Sequence, residues 1–138
     1  MFILILIQLL IQPFNSNLEM KTIYDIKINN LDGTPLDWSD YKGKKILIVN
    51  VASECGYTPQ YTQLQELFES KQDDLVVLGV PCNDFGGQEF KDNKKVKEFC
   101  EVNFNISFPI TTITKVKGKN RHPFFRWVEK EAGYLSLP

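Results

Sequence analysis

The chain alternates between stretches of two hydrophobic periods. Ile46-Leu47-Ile48-Val49-Asn50-Val51 is an almost continuous apolar run. A run without alternation suits a strand covered on both faces, as in a parallel sheet. Leu75-Val76-Val77-Leu78-Gly79-Val80 repeats it. Between the two, Tyr61, Leu64, Leu67 and Phe68 recur at helical spacing and predict a helix over 59–70. Upstream, Tyr24, Ile26 and Ile28 alternate with period two. Asp32-Gly33 then supplies a turn and Thr34-Pro35-Leu36 returns, which predicts an N-terminal β-hairpin. Downstream, Asn93 is expected to cap a helix with Val96, Phe99, Cys100 and Asn103 on its inner face. Residues 108–116 read as a further strand ended by Gly118. Residues 123–130 read as a short helix with Phe124, Trp127 and Val128 inward and Gly133 as stop signal. The strand–helix–strand–helix series predicts an α/β domain with a parallel core and right-handed crossovers.

The first long strand leads into Ala52-Ser53-Glu54-Cys55-Gly56-Tyr57-Thr58-Pro59. Thr58 is expected as the N-cap of the helix that follows, with Pro59 at its first position, where a missing N–H costs nothing. A cysteine just before a helix N-terminus meets free amides and the positive end of the dipole, which favour the thiolate. Taken alone, a cysteine is more often a small buried apolar residue. The strand–turn–cap context points Cys55 toward redox chemistry instead.

Composition narrows the classes. The 138 residues allow one domain, 43% apolar and 24% charged, with a net charge of −1 and no basic block. That excludes an electrostatic nucleic-acid binder. The three cysteines, at 55, 82 and 100, form no C-x-x-C pair and are too few for a secreted disulfide scaffold. One histidine is too few for a typical Cys/His zinc site. Residues 2–11 are apolar apart from Gln8 but too short for a membrane span, which needs about 20 residues. They read either as a signal-peptide core, hence an exported protein, or as an over-extended start to a cytoplasmic one. Residues 1–19 therefore stand apart from a domain of 20–138.

Three segments now combine: 50–60 around Cys55, Gly79-Val-Pro-Cys-Asn-Asp-Phe-Gly-Gly-Gln-Glu89, and Phe99-Cys-Glu-Val-Asn-Phe-Asn-Ile-Ser-Phe-Pro109. Together, over residues 21–130, they resemble the glutathione peroxidase family in its cysteine form. The resemblance implies a thioredoxin-like fold. The implied activity is reduction of hydrogen peroxide and organic hydroperoxides, with thioredoxin or glutathione as reductant and no cofactor. Cys55 matches the peroxidatic cysteine, whose thiolate attacks the peroxide and becomes a sulfenic acid. Gln88 matches the catalytic glutamine, an N–H donor to sulfur and peroxide oxygen, and Gly86 and Gly87 let the backbone come close. Cys100 matches the resolving cysteine of thioredoxin-dependent members, which implies a Cys55–Cys100 disulfide. Read without the family, Cys100 is a core residue on an apolar helix face. Cys82 reads as packed and unreactive, and His122 as a capping or surface residue.

There are two departures from the family pattern, and the second carries an expectation. Asp84 stands where the family usually has glutamine, and a carboxylate near the sulfur opposes its ionisation. The family's Trp-Asn pair, with the last strands and helix, lies after the short helix, and neither Trp38 nor Trp127 matches it. This implies an open edge beside the strand at 46–52 and impaired activity. A peroxide sensor and a fragment that only packs or binds stay open as alternatives.

Overall fold

The structure, a computed structural model, describes residues 4–7 and 22–132. Its sheet has three strands in the order β1 (Leu4–Ile7), β2 (Lys45–Val51), β3 (Leu75–Pro81). β2 and β3 run parallel in the register Ile46↔Val76 to Val51↔Pro81, and α1 (Gln60–Lys71) connects them. This is the α/β core that the two apolar runs predict. β1 pairs antiparallel with β2 from Leu4↔Val49 to Ile7↔Ile46. The expected open edge beside 46–52 is therefore not found, because β2 has a hydrogen-bonded neighbour on each side.

The absence of alternation in β2 and β3 is explained by cover on both faces. Ile46, Ile48, Leu78 and Val80 enter one apolar cluster with Ile26, Ile28, Trp38, Phe124 and Val128. Leu47, Val49, Val51 and Val77 enter a second with Tyr61, Leu64, Val96, Cys100 and Phe108. α1 and α2 (Asn93–Phe104) thus cover one face, while α3 (Pro123–Ala132) and the hairpin region cover the other. Each such side chain, fully buried, contributes roughly 1.5–3 kcal/mol. Trp38 opens a 3-10 turn, stacks on Phe124 at 5.6 Å and donates from its indole N–H to the Ile26 carbonyl at 2.7 Å.

Several local expectations are corrected. The hairpin turns at Asp32-Gly33, with Gly33 at φ +88°, but its only ladder is a bridge between Asn29 and Pro35. Tyr24 lies in a 3-10 turn and is exposed, not on a strand. The cap of α2 is Asp92, whose carboxylate accepts from the Lys94 amide at 2.8 Å. The Asn93 side chain instead accepts from the Ile113 amide at 2.8 Å. Asn103 is exposed and donates back to the Phe99 carbonyl. Residues 108–116 form only isolated bridges, Ile110 to Gly79 and Thr111 to Asn30. Pro109 has no amide to give to a ladder, and Thr111 and Thr114 turn their hydroxyls onto the Thr112 carbonyl. Gly133 lies outside the described residues.

Candidate active site

β2 ends at Val51, and the chain turns through 52–59 before α1. Thr58 closes this turn. Its hydroxyl accepts from the Cys55 amide at 3.0 Å and donates to the Ala52 carbonyl at 2.8 Å. Thr58 therefore does not cap α1, as the sequence led us to expect. The first amides of the helix are held by short-range bonds instead, Gln60 to Tyr57, Tyr61 to Thr58 and Thr62 to Pro59. The donor aimed at the sulfur is the Tyr57 amide, 3.5 Å from Cys55 Sγ. Cys55 itself is half-buried.

A second loop comes up beside this turn. Gly86 and Gly87 hold φ of +73° and +68°, a pair that only glycine adopts without strain. The Gly87 amide closes back on the Asn83 carbonyl, and the Asn83 side chain accepts from the Glu89 amide at 2.9 Å. The Glu54 amide donates to the Gln88 carbonyl at 2.9 Å, which joins loop to turn. Cys55, Gln88, Asn50, Val51, Ala52, Cys82 and Phe85 then line one hollow of about 10 Å³, the space of a single water. Cys55 and Gln88, far apart in sequence, meet there.

Of the remaining residues singled out in the sequence, Cys82 shares the hollow, and the others lie elsewhere or face away. The Asp84 carboxylate accepts from the Val116 and Lys117 amides at 2.7 and 3.1 Å, so it is turned to the 116–117 segment. Its charge acts on Cys82. That thiol is buried, accepts from the Asp84 amide and is pushed up to about 11, first by burial. Cys100 is buried on α2 and opens onto a different crevice, beside Asn30, Asp32 and Ser107. Burial raises its thiol to about 11 as well. All three cysteines are free thiols, and the structure does not bring Cys100 to the hollow of Cys55. His122 sits at the start of α3, where its Nδ1 accepts from the Phe124 amide at 3.2 Å.

One group of residues went unnoticed in the sequence. Ser53, Tyr61 and Glu89 are buried, and each carries a buried side-chain oxygen without a hydrogen-bond partner. A glutamate beside two glycines was the available signal, but glutamate in a loop is ordinarily solvated. Among the described residues no group of three or more His, Cys, Asp or Glu could hold a metal ion. Nor is any helix there long and apolar enough to cross a membrane.

Comparison with known proteins agrees with this geometry. The family model described as glutathione peroxidase matches residues 23–129. A glutathione peroxidase-like peroxiredoxin, GPX5 of Chlamydomonas reinhardtii, is 45% identical over 109 residues, which is 78% of this chain and 67% of that protein. The hydroperoxy fatty acid reductase gpx1 of Synechocystis sp. is 42% identical over 118 residues, 85% of this chain and 70% of that one. The crystal structure of Trgpx in apo form superposes with a TM-score of 0.62 at 35% identity, covering 85% of this chain and 70% of the other. The fold is thioredoxin-like. With Cys55 and Gln88 on one hollow and the match running through both, the chain belongs to the glutathione peroxidase family and is a peroxidase.

Proposed function

We propose that Cys55 reduces hydrogen peroxide and organic hydroperoxides and that Cys100 resolves the product as an intramolecular disulfide. The observation that carries the first step is the shared hollow, where the Tyr57 amide points at Sγ and Gln88 lines the same space. The Cys55 thiolate attacks the distal peroxide oxygen. The O–O bond breaks, the sulfur becomes sulfenic acid, and the leaving alkoxide or hydroxide takes a proton. The Gln88 amide N–H stabilises charge developing on the oxygens.

Resolution needs Cys100 to leave its crevice. Support comes from its position in the last turns of α2, which ends at Phe104 with Asn105 in the left-handed region. A helix end opens locally at a fraction of the global unfolding cost. Disulfide geometry requires Cα atoms about 4.4–6.8 Å apart, so opening and closure go together. A thioredoxin dithiol, or glutathione, then returns both cysteines to thiols.

The test compares the protein with its Cys55→Ser variant in a thioredoxin-coupled peroxide assay, followed by peptide mapping after one equivalent of peroxide. Loss of turnover in C55S and a Cys55–Cys100 link are expected. Equal rates would end the assignment of Cys55. A link from Cys55 to Cys82, or only between chains, would end that of Cys100.

A further inference from the structure

The buried polar group around Glu89 has no part in the steps above, yet it adjoins the cysteine turn at Ser53 and Glu54 and acts on Cys100. The Glu89 side chain is 3% exposed. One carboxylate oxygen accepts from the Phe90 amide at 2.8 Å, while the other has no partner. Tyr61 is 1% exposed and its hydroxyl also lacks a hydrogen-bond partner. Tyr61 packs at a tilt against Phe104 at 5.3 Å and stacks on Phe108 at 6.4 Å, inside the cluster that contains Cys100. Phe90 packs edge-on to Phe99 at 5.7 Å, which holds the Glu89 loop against α2. The Tyr61 hydroxyl favours ionisation of the Cys100 thiol, whereas the charge of Glu89 opposes it for as long as Glu89 stays ionised.

We propose that Glu89 accepts the proton of the Cys100 thiol and that the Tyr61 hydroxyl donates to the thiolate so formed as it turns on the Cys55 sulfenic acid. This rests on Cys100 being the resolving cysteine. An unpartnered carboxylate oxygen and an unpartnered hydroxyl, both buried, are costly to a fold unless something uses them. Here they meet a need. Burial holds the Cys100 thiol near 11, so unaided it is almost never a thiolate at neutral pH. Moving its proton to an ionised Glu89 shifts one negative charge within the buried site rather than adding a second. The step balances. The Cys100 sulfur forms the S–S bond, the Cys55 S–O bond breaks, and the departing oxygen takes up the proton, giving a disulfide and water. Cys100 is oxidised and Cys55 reduced, with no outside electron donor.

The groups facing Glu89 are Ser53 and Glu54 from the cysteine turn, Tyr61 from α1 and Cys100 from α2, with Glu101 acting on Cys100. Burial, reinforced by Glu54, raises the Glu89 carboxyl above its ordinary value, although the bond from the Phe90 amide opposes the shift. Disulfide closure therefore gains speed with rising pH as Glu89 ionises.

The test follows single turnover in the full chain. Samples oxidised with one equivalent of hydrogen peroxide are quenched at intervals, and sulfenic acid and disulfide are mapped by mass spectrometry. The wild type, Glu89→Gln, Tyr61→Phe and Cys100→Ser are compared. E89Q is expected to form sulfenic acid but to close the disulfide about a hundredfold more slowly near neutral pH. Its rate should recover toward wild type as the pH approaches that of Cys100 ionisation. Y61F, which keeps the ring packing, should also slow closure and leave sulfenic acid to accumulate, as it does in C100S. Closure at the wild-type rate and pH profile in E89Q and Y61F would overturn the inference and leave the role of Cys100 intact. If the wild type forms no Cys55–Cys100 disulfide, both fall. Should E89Q fail to fold, the wild type still decides: a closure rate flat between about pH 5 and 8 contradicts an ionising proton acceptor.

Discussion

The Glu54 amide donates to the Gln88 carbonyl across 2.9 Å, so the cysteine turn and the glycine loop are tied backbone to backbone. A strain introduced into the loop should reach the sulfur. Gly87 is a clean place to introduce it, because a Cβ there would meet nothing within 4 Å and only its φ of +68° resists a side chain. Gly87→Ala is expected to cost about 1–2 kcal/mol. Its kcat/KM for peroxide should fall more than a loss of folded protein explains. Thermal unfolding and steady-state turnover on the same sample separate the two effects. An unchanged kcat/KM would mean that Gln88 holds its place independently of the loop backbone.

Asp84 is a structural tie by its contacts. Its carboxylate takes two backbone amides, from Val116 and Lys117, over more than thirty residues of sequence. Asp84→Ala leaves both amides in search of partners and is expected to destabilise by about 1–3 kcal/mol. Asp84→Asn keeps an acceptor oxygen and should lose less. Denaturant unfolding of the two variants against wild type checks the order. Peroxide turnover in D84N should stay near wild type, because the carboxylate faces away from the hollow of Cys55.

What was legible in the sequence follows from what each residue type must do. Ile46 to Val51 and Leu75 to Val80 read correctly because burial on two faces leaves no room for polar alternation. Cys55, with Gln88 and the two glycines, was legible as a motif, and both residues line one hollow. Thr58 misled because a threonine before a proline suits a helix cap. The hydroxyl has two possible targets, and only the tertiary turn selects Cys55 and Ala52. The 108–116 stretch misled because its apolar residues outweighed the missing amide of Pro109. Tyr61 reads as one more apolar residue in a helical stripe, and nothing in a stripe tells where its hydroxyl ends up.

The three thiols should differ sharply toward an alkylating agent. Cys82 and Cys100 are each held near 11, burial being the first cause. At a pH of about 7.5 their thiolate fraction is below ~0.1%. Cys55 is half-buried and opens on the hollow. With iodoacetamide on the reduced native protein, Cys55 is expected to label first, ahead of the other two by at least about tenfold. Unfolding in denaturant should bring all three together. Cys100 labelling as fast as Cys55 would mean that α2 opens far more readily than its packing implies.

Two titratable groups, the buried Glu89 and the half-buried His122, give the fold opposite responses to pH. Glu89 is raised, so the stability of its neutral form is fully present below the ordinary carboxylate range and is lost as pH climbs through the folded value. His122 is lowered, chiefly by burial, against the contrary pull of the Lys27 carbonyl. Its neutral form is the one the fold holds, since Nδ1 must accept from the Phe124 amide to cap α3. The stability it supplies is therefore present above its unfolded value and is lost as pH falls through the folded value. As the only histidine in the chain, it gives one unambiguous imidazole signal, expected to titrate below 6.5. Protonation turns Nδ1 into a donor, so the Phe124 amide loses its partner and α3 loosens. His122→Asn, which offers an amide oxygen in its place, should remove that acid-side loss of Tm while leaving the decline on the alkaline side to Glu89. Thermal melts of wild type and H122N between about pH 4.5 and 8 check this. Parallel curves across that range would show that the imidazole does not carry the cap.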